Sequence, residues 1–190
     1  MKINPLPDIN YLKECFTIDP SASSGLRWKP QRPESHFETV KAHKRWTMLY
    51  AGKACGAIYH KRSETCKYYC IQLGKRTFFI HRIIYGIHHN VADFQKVIDH
   101  MDGNGQNNDV KNLRLVTASE NKLNSKINKN NKSGHKNISF NKECKKYVCQ
   151  ISINRKHKHI GKYNTLEEAL KARNSYIEHL KETIGDYFRI

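Results

Sequence analysis

One short stretch of the chain, residues 98–121, constrains the fold most, because it places reactive side chains at the turns between regular elements. An apolar run leads into Asp99 and His100, which predicts that this pair stands at the end of a strand. Residues 103–105 read Gly-Asn-Gly and predict a turn, because Gly and Asn tolerate positive φ. Residues 113–116 predict a second strand. A purely structural loop needs Gly and Asn, but it has no need of an adjacent Asp-His pair.

A helix start follows the second predicted strand directly. Thr117 and Glu120 match a capping box, in which each side chain accepts a hydrogen bond from the other residue's backbone N–H. Asn121 then falls in the first helical turn and points into the corner that holds the Asp-His pair. With Asn112, the stretch therefore brings a base, a carboxylate and two amides around a space for one metal ion and one phosphate.

This spacing resembles the ββα-metal motif of the HNH nucleases, in the form found in phage and intron homing endonucleases. The pattern D-H-x-D/N-G-(x)-N-N-x-x-x-N-L-R-x-x-T-x-x-x-N is matched almost throughout residues 99–121. Three upstream segments, residues 25–29, 51–56 and 79–86, are similar to the strands that precede the motif in the same phage enzymes. The resemblance covers residues 24–125.

The resemblance implies a role for each of four residues. His100 would be the general base, Asn112 would brace the loop and orient His100, and Asp99 and Asn121 would bind Mg²⁺ or Mn²⁺. The chemistry agrees, since a neutral imidazole can accept a water proton near neutral pH and a hard cation prefers carboxylate and amide oxygens. Many family members have His where this chain has Asn121. Because this chain has an amide oxygen there and no imidazole, zinc is a poorer candidate than Mg²⁺ or Mn²⁺. The alternative is an Asn-rich turn with a solvated histidine.

The composition favours a polyanionic partner. The chain has 34 Lys and Arg residues against 17 Asp and Glu residues, a net charge of +17, and so large an excess does not by itself distinguish DNA, RNA and anionic membrane. No apolar run approaches the ~20 residues that span a bilayer, and the first residues do not read as a signal peptide. The sequence therefore predicts a cytoplasmic protein without a membrane partner, and it implies no protein partner.

The six cysteines have irregular spacings, which predicts free thiols in a reducing compartment. Neither Cys66 with Cys70 nor Cys144 with Cys149 forms the C-x-x-C pair of a zinc knuckle. Zinc binding by Cys55, Cys66 and Cys70 with a histidine is an alternative, but packing as small apolar side chains is favoured.

The composition changes after the nuclease-like motif. Residues 126–136 are rich in Lys, Asn and Ser and predict a basic linker, whose Lys126, Lys129 and Lys132 could follow a phosphate backbone. Residues 146–153 then alternate between apolar and polar side chains, as in a half-buried strand. A second capping box at residues 165–168 opens a predicted helix, so a three-stranded sheet backed by one helix is expected.

The terminal segment resembles the DNA-binding domain of plant ethylene-response factors, the AP-two fold, which also occurs fused to phage HNH nucleases. Matching segments are residues 146–151, 160–163, 165–169 and 185–187, whereas Asn137 stands where the family usually has Gly. The resemblance implies that polar residues on one sheet face read the major groove of DNA. These residues are Ser139, Asn141, Gln150, Ser152, His157 and His159. A docking domain with a basic surface is the alternative.

Together these patterns predict an α+β protein made of a ββα-metal (HNH) nuclease core and a small three-stranded sheet with one packed helix. The predicted parts are an N-terminal extension (1–23), the nuclease domain (24–125), the linker (126–136) and the DNA-binding domain (137–190). The expected function is metal-dependent hydrolysis of double-stranded DNA, site-specific and homing-type by resemblance, in a bacterial cytoplasm if the protein is phage-encoded. A non-cleaving DNA-binding regulator and an RNA nuclease are the alternatives.

Overall fold

The chain folds into two compact units, Met1–Leu115 and Val116–Ile190, and both combine helices with small sheets. This mixture agrees with the predicted α+β class. The computed structural model describes residues 4–60, 67–92, 95–125, 127, 130–153 and 156–184. Within those residues, no helix has the length and apolar character needed to cross a membrane.

The first unit is built from short elements around one hydrophobic core. Its helices are α1 (Ile9–Cys15), α2 (Val40–Tyr50) and α3 (Ile80–His89). Its strands are β1 (Phe16–Ile18), β2 (Leu26–Trp28), β3 (Ala57–His60), β4 (Lys67–Leu73), β5 (Arg76–Phe79), β6 (Val97–His100) and β7 (Leu113–Val116). The boundary between the two units falls within β7. Antiparallel pairing joins β1 to β2 and orders the next sheet as β3-β4-β5, and β6 pairs with β7.

The first residues of the chain belong to this core. The Asp8 carboxylate caps helix α1 by accepting hydrogen bonds from the two backbone N–H groups of Asn10 and Tyr11. Leu12 and Phe16 are fully buried beside the residues of α3. The segment that was predicted to be an N-terminal extension, residues 1–23, therefore supplies apolar side chains to the core of the first unit.

Residues 79–86 also differ from expectation, since only Phe79 belongs to a strand, β5, and residues 80–86 form the start of helix α3. Ile80, Ile83 and Ile84 are completely buried, at the spacing of one helical face. A short apolar run fits either a helix or a buried strand, and only its packing decides between them. Residues 25–29 contain strand β2 as predicted, whereas residues 51–56 form a turn with a single bridge to that strand.

The second unit contains the predicted sheet and helix. Its elements are α4 (Ala118–Leu123), β8 (Ile138–Asn141), β9 (Lys146–Ile153), β10 (Lys156–Tyr163) and α5 (Leu166–Ile184). The strands form an antiparallel sheet ordered β10-β9-β8, and α5 packs on one face of it. The backbone of Asn137 has φ of +64°, in the left-handed region that Asn tolerates better than most residues. This conformation explains why Asn replaces Gly at that position.

Helix α4 packs with the terminal sheet, so the predicted boundary between residues 125 and 126 does not separate two bodies. Leu123 at its end is buried with Ile151 of β9 and Ile177 of α5. The ammonium group of Lys136 donates a 2.7 Å hydrogen bond to the carbonyl of Leu123. The end of the segment that was predicted to be a basic linker, residues 126–136, is therefore tied to the second unit at Lys136.

Candidate active site

Strand β6 carries the Asp-His pair to the predicted place, at the end of the strand. The exposed fractions of Asp99 and His100 are only 7% and 5%. Two ionisable side chains at this depth need specific polar partners, because a buried polar group without a hydrogen bond is costly. Asn108 provides such a partner for His100, and Arg114 provides one for Asp99.

The imidazole of His100 is held by Asn108, a residue that the sequence reasoning did not single out. The Nε2 of His100 lies 3.1 Å from the Oδ1 of Asn108, and the Nδ2 of Asn108 donates a 2.8 Å bond to the carbonyl of Ser24. Since a carbonyl can only accept, the amide orientation is set and its oxygen faces the imidazole. Nε2 therefore carries the proton, and Nδ1 is the nitrogen with the lone pair that a base needs.

A cluster of rings surrounds the same imidazole. The ring centroid of His100 lies 5.0 Å from that of His81 and 5.9 Å from that of Tyr68. Burial lowers the pKa of His100, and it lowers the pKa of His81 to about 3, with smaller contributions from the charges of His100 and Arg82. Both imidazoles are consequently neutral near pH 7, as a general base must be.

The side chain of Asn112 is bonded within the loop, mainly to Asp102. Its Oδ1 accepts from the backbone N–H of Asp102, and its Nδ2 donates to the Asp102 carboxylate and to the carbonyl of Asn107. Burial alone would raise the pKa of Asp102, but hydrogen bonds from Asn104, Asn107 and Asn112 outweigh it and lower that pKa. Asn108 contacts the His100 imidazole directly, whereas the hydrogen bonds of Asn112 act on the shape of the loop.

The two glycines of the Gly-Asn-Gly turn are needed for different reasons, one for its backbone conformation and the other for its lack of a side chain. Gly103 has φ of +66°, in agreement with the predicted left-handed backbone. Gly105 lies against β4 instead: a Cβ there would be 2.6 Å from the Tyr68 ring and 2.7 Å from the carbonyl of Lys67. The loop after His100 can therefore approach β4 closely only because residue 105 lacks a side chain.

Asp99 forms an ion pair with Arg114 of strand β7. The Nε and Nη2 atoms of Arg114 lie 3.1 and 3.0 Å from the same carboxylate oxygen, Oδ2. These two charge-assisted contacts hold the Oδ2 atom of Asp99 at the end of β6. Because Mg²⁺ is commonly held by one or two carboxylates together with substrate phosphates and water, one buried carboxylate suits such a cation. Among the described residues, no group of three or more His, Cys, Asp or Glu side chains could form an all-protein metal cage.

Asn121 lies in the first turn of α4, in the second unit. The capping box that starts this helix is present as predicted: Thr117 N–H donates to the Glu120 carboxylate at 2.6 Å, and Glu120 N–H donates to the Thr117 hydroxyl at 3.2 Å. The backbone N–H of Asn121 donates to the Thr117 carbonyl. The helix start that presents the second predicted ligand is thus fixed by local hydrogen bonds.

The predicted DNA-reading residues share one face of the terminal sheet. His157 is paired with Ser152 and His159 with Gln150, and directly opposed residues in a sheet point to the same side. Ser139 and Asn141 of β8 pair with Val148 and Lys146 of β9. Since every second residue of a strand faces the same side, these two residues of β9 share the face of Gln150 and Ser152. The alternate residues, which include Cys149 and Ile151, are buried towards α5. Lys132 is exposed, while Lys126, Lys129 and residues 185–187 lie outside the described residues.

The cysteines of the first unit pack as apolar groups. Cys55 and Cys70 are buried, and burial raises the pKa of their thiols to about 12 and about 11. Cys66 lies outside the described residues. All five described cysteines are free thiols, which agrees with the prediction.

Comparison with known proteins supports the nuclease motif. The model of the HNH endonuclease family matches residues 78–123. Over 46 residues the chain is 50% identical to Protein 3.8 of Escherichia phage T7, a match that spans 24% of this chain and 38% of the phage protein. No solved structure gives a significant match. The family match includes Asp99, His100, Asn112 and Asn121, and it supports an HNH-type nuclease domain at residues 78–123.

Proposed function

We propose that this protein is a metal-dependent endonuclease that hydrolyses phosphodiester bonds of double-stranded DNA. The observation that carries the proposal is the buried imidazole of His100, whose Nε2–H is bound by Asn108 beside the carboxylate of Asp99. A base of defined tautomer next to a fixed carboxylate is what activation of a water molecule requires.

In the proposed reaction, Nδ1 of His100 accepts a proton from water as the water oxygen bonds to phosphorus. The bond from phosphorus to the leaving sugar oxygen breaks, and that oxygen takes up a proton from solvent. Asp99, oriented by Arg114, and Asn121 would hold a divalent cation, Mg²⁺ or Mn²⁺, which would stabilise negative charge on the phosphate. Asn112 would keep the loop between the two strands in its active shape.

The terminal sheet would hold the DNA substrate. Its open face carries Gln150, Ser152, His157 and His159, which are side chains that can donate and accept hydrogen bonds to base edges. The AP-two resemblance suggests that this face enters the major groove and makes the enzyme site-specific, as in homing endonucleases. The phage relative suggests that such an enzyme acts in an infected bacterium. Binding through the face of this three-stranded sheet favours DNA over RNA, because the major groove of an RNA duplex is too narrow to admit a sheet.

The test compares the wild-type protein with His100→Ala on supercoiled plasmid. The substitution should lower the nicking rate ~10²–10⁴-fold, because a general base contributes about that much. Binding of uncleaved duplex should remain within a few-fold of wild type. His88→Ala is the matched control, since His88 is exposed on α3. Equal cleavage by both variants would contradict the assignment, and binding without cleavage by the wild-type protein would favour the regulator.

The metal is tested with a chelator. EDTA should stop nicking by the wild-type protein, and excess Mg²⁺ or Mn²⁺ should restore it. Asp99→Ala and Asn121→Ala should each require more metal for half-maximal activity. Full activity in EDTA would mean that these residues do not bind a metal.

A further inference from the structure

Helix α2 is a surface element with an unusual distribution of charge. None of the residues of Val40–Tyr50 is buried. The helix carries Lys41, Lys44 and Arg45 and has no acidic residue. Like charges three and four positions apart on a helix repel each other and cost roughly 0.2–0.5 kcal/mol per pair. A helix of this composition is therefore most stable when an anionic partner covers it.

The inner side of α2 is defined by its aromatic contacts. The Trp46 ring lies edge-on to Trp28 of β2, with centroids 5.3 Å apart, and 5.6 Å from the ring of Phe37. The Arg32 guanidinium stands 4.7 Å from the Trp46 ring and 5.2 Å from the Trp28 ring, at cation–π distance. His43 packs against Phe37 in the same direction. These contacts fix which side of the helix faces the protein.

The basic residues lie on the opposite side. At about 100° per residue, His43, Trp46 and Tyr50 share one helical face. Lys41, Lys44, Arg45 and Met48 share the face turned about 180° away from it. All four are exposed, and Met48 is 74% exposed. We name this face, formed by Lys41, Lys44, Arg45 and Met48, the basic face of α2.

We propose that the basic face of α2 binds the phosphate backbone of the duplex DNA that the active site cuts. This inference rests on the proposed function for the identity of the substrate. Side chains three and four residues apart on a helix are about 5–6 Å from each other, which suits contacts to neighbouring phosphates. A partner of this chemistry removes the repulsion among the three cations, whereas an apolar protein partner would increase it.

The helix and the catalytic loop are supported by the same segment of chain. Trp28, against which Trp46 packs, lies four residues beyond Ser24, whose carbonyl accepts the hydrogen bond from Asn108. Four residues of chain span at most ~14 Å, so the support of α2 and the support of the catalytic loop lie within that distance of each other. A duplex bound at the active site could therefore reach the helix within one turn, roughly 34 Å of DNA.

The experiment measures duplex binding as a function of salt in the full-length His100→Ala protein, which should leave the DNA intact. The test variant is K41Q/K44Q/R45Q, since glutamine removes the charge and keeps good helix propensity. The matched control is K75Q/R76Q/K96Q, which removes three exposed charges from the same unit. Fluorescence anisotropy with a labelled duplex gives affinity, and circular dichroism checks that both variants are folded.

We expect the slope of log affinity against log salt to be less steep by about 2–3 in the α2 variant, because each neutralised phosphate contributes ~0.9 to that slope. Its affinity at 0.1 M salt should fall on the order of 100-fold, and the control should change far less. Equal losses in both variants would overturn the proposal, because net charge would then account for binding. Unchanged DNA binding with lost binding to anionic vesicles would also overturn it. If the wild-type protein neither binds nor cuts DNA, the proposed function itself fails, a result distinct from these.

Discussion

Replacing Asn108 by Ala should disable the active site without touching any residue of the predicted catalytic set. Asn108 is 5% exposed and bridges two buried groups, the imidazole of His100 and the carbonyl of Ser24. The substitution leaves both partners buried without this bond, and each such loss costs about 1–3 kcal/mol. The expected loss of folding free energy is therefore ~2–4 kcal/mol, measured by urea unfolding.

The catalytic effect should be larger than the effect on DNA binding. Without the Oδ1 of Asn108, His100 loses a hydrogen bond that sets its tautomer and orientation, and a misplaced base forfeits most of its ~10²–10⁴-fold contribution. Single-turnover nicking at saturating enzyme isolates this step. Asn108→Leu keeps the branched shape of the side chain and loses both hydrogen bonds, so it should cleave as slowly as Asn108→Ala.

The matched control is Asn107→Ala, one residue away. The Asn107 side chain is exposed and donates a 2.8 Å bond to the carboxylate of Asp102. Its loss should cost ~0.5–1.5 kcal/mol and reduce cleavage much less than the loss of Asn108. Nicking by Asn108→Ala or Asn108→Leu within threefold of wild type would refute the reasoning, because it would show that His100 needs no hydrogen bond from this amide.

Three further changes test the packing around the site. Gly105→Ala should cost about 1–3 kcal/mol in urea unfolding and slow nicking, because its methyl group would meet the Tyr68 ring and rigid backbone; a wild-type rate would contradict the close approach. His81 has a pKa of about 3 beside His100, so below pH 6.5 the unfolded chain binds a proton that the folded chain does not, and stability decreases as the pH is lowered. Between pH 7 and pH 5, the His81→Phe variant should lose ~2 kcal/mol less unfolding free energy than the wild-type protein, and it should still cleave DNA. An unchanged pH dependence of stability would rule out this role of His81. Leu123→Ala should destabilise the second unit by ~2–5 kcal/mol, read as a lower melting temperature, and an unchanged melting temperature would show that α4 is not part of that core.

The burial of Leu123 determines how the terminal sheet should be tested for DNA binding. A truncation after residue 125 would expose Leu123, which is buried with Ile151 and Ile177. Such a truncation would weaken α4, the helix that carries Asn121, so lost cleavage would not show that the sheet binds DNA. Substitutions on the open face of the sheet, such as Gln150→Ala and His159→Ala, are the cleaner test.

Features that depend on neighbouring residues were readable from the sequence. The capping box of Thr117 and Glu120 and the alternation along β9 rest on hydrogen bonds and side-chain directions set within a few residues. The same holds for the order of β6, the Gly-Asn loop, β7 and α4. Local periodicity and turn chemistry therefore determined the ββα outline and the position of the Asp-His pair within it.

Features that depend on distant partners were decided only by the tertiary structure. Asn108 is recognised as the support of His100 because it also reaches Ser24, which lies 84 residues away in sequence. Residues 80–89 are a helix because of the core that buries one of their faces, and α1 joins that same core. Helix α4 likewise packs with residues of β9 and α5. An apolar run or an Asn-rich loop is compatible with several partners, and the packing of remote segments selects one of them.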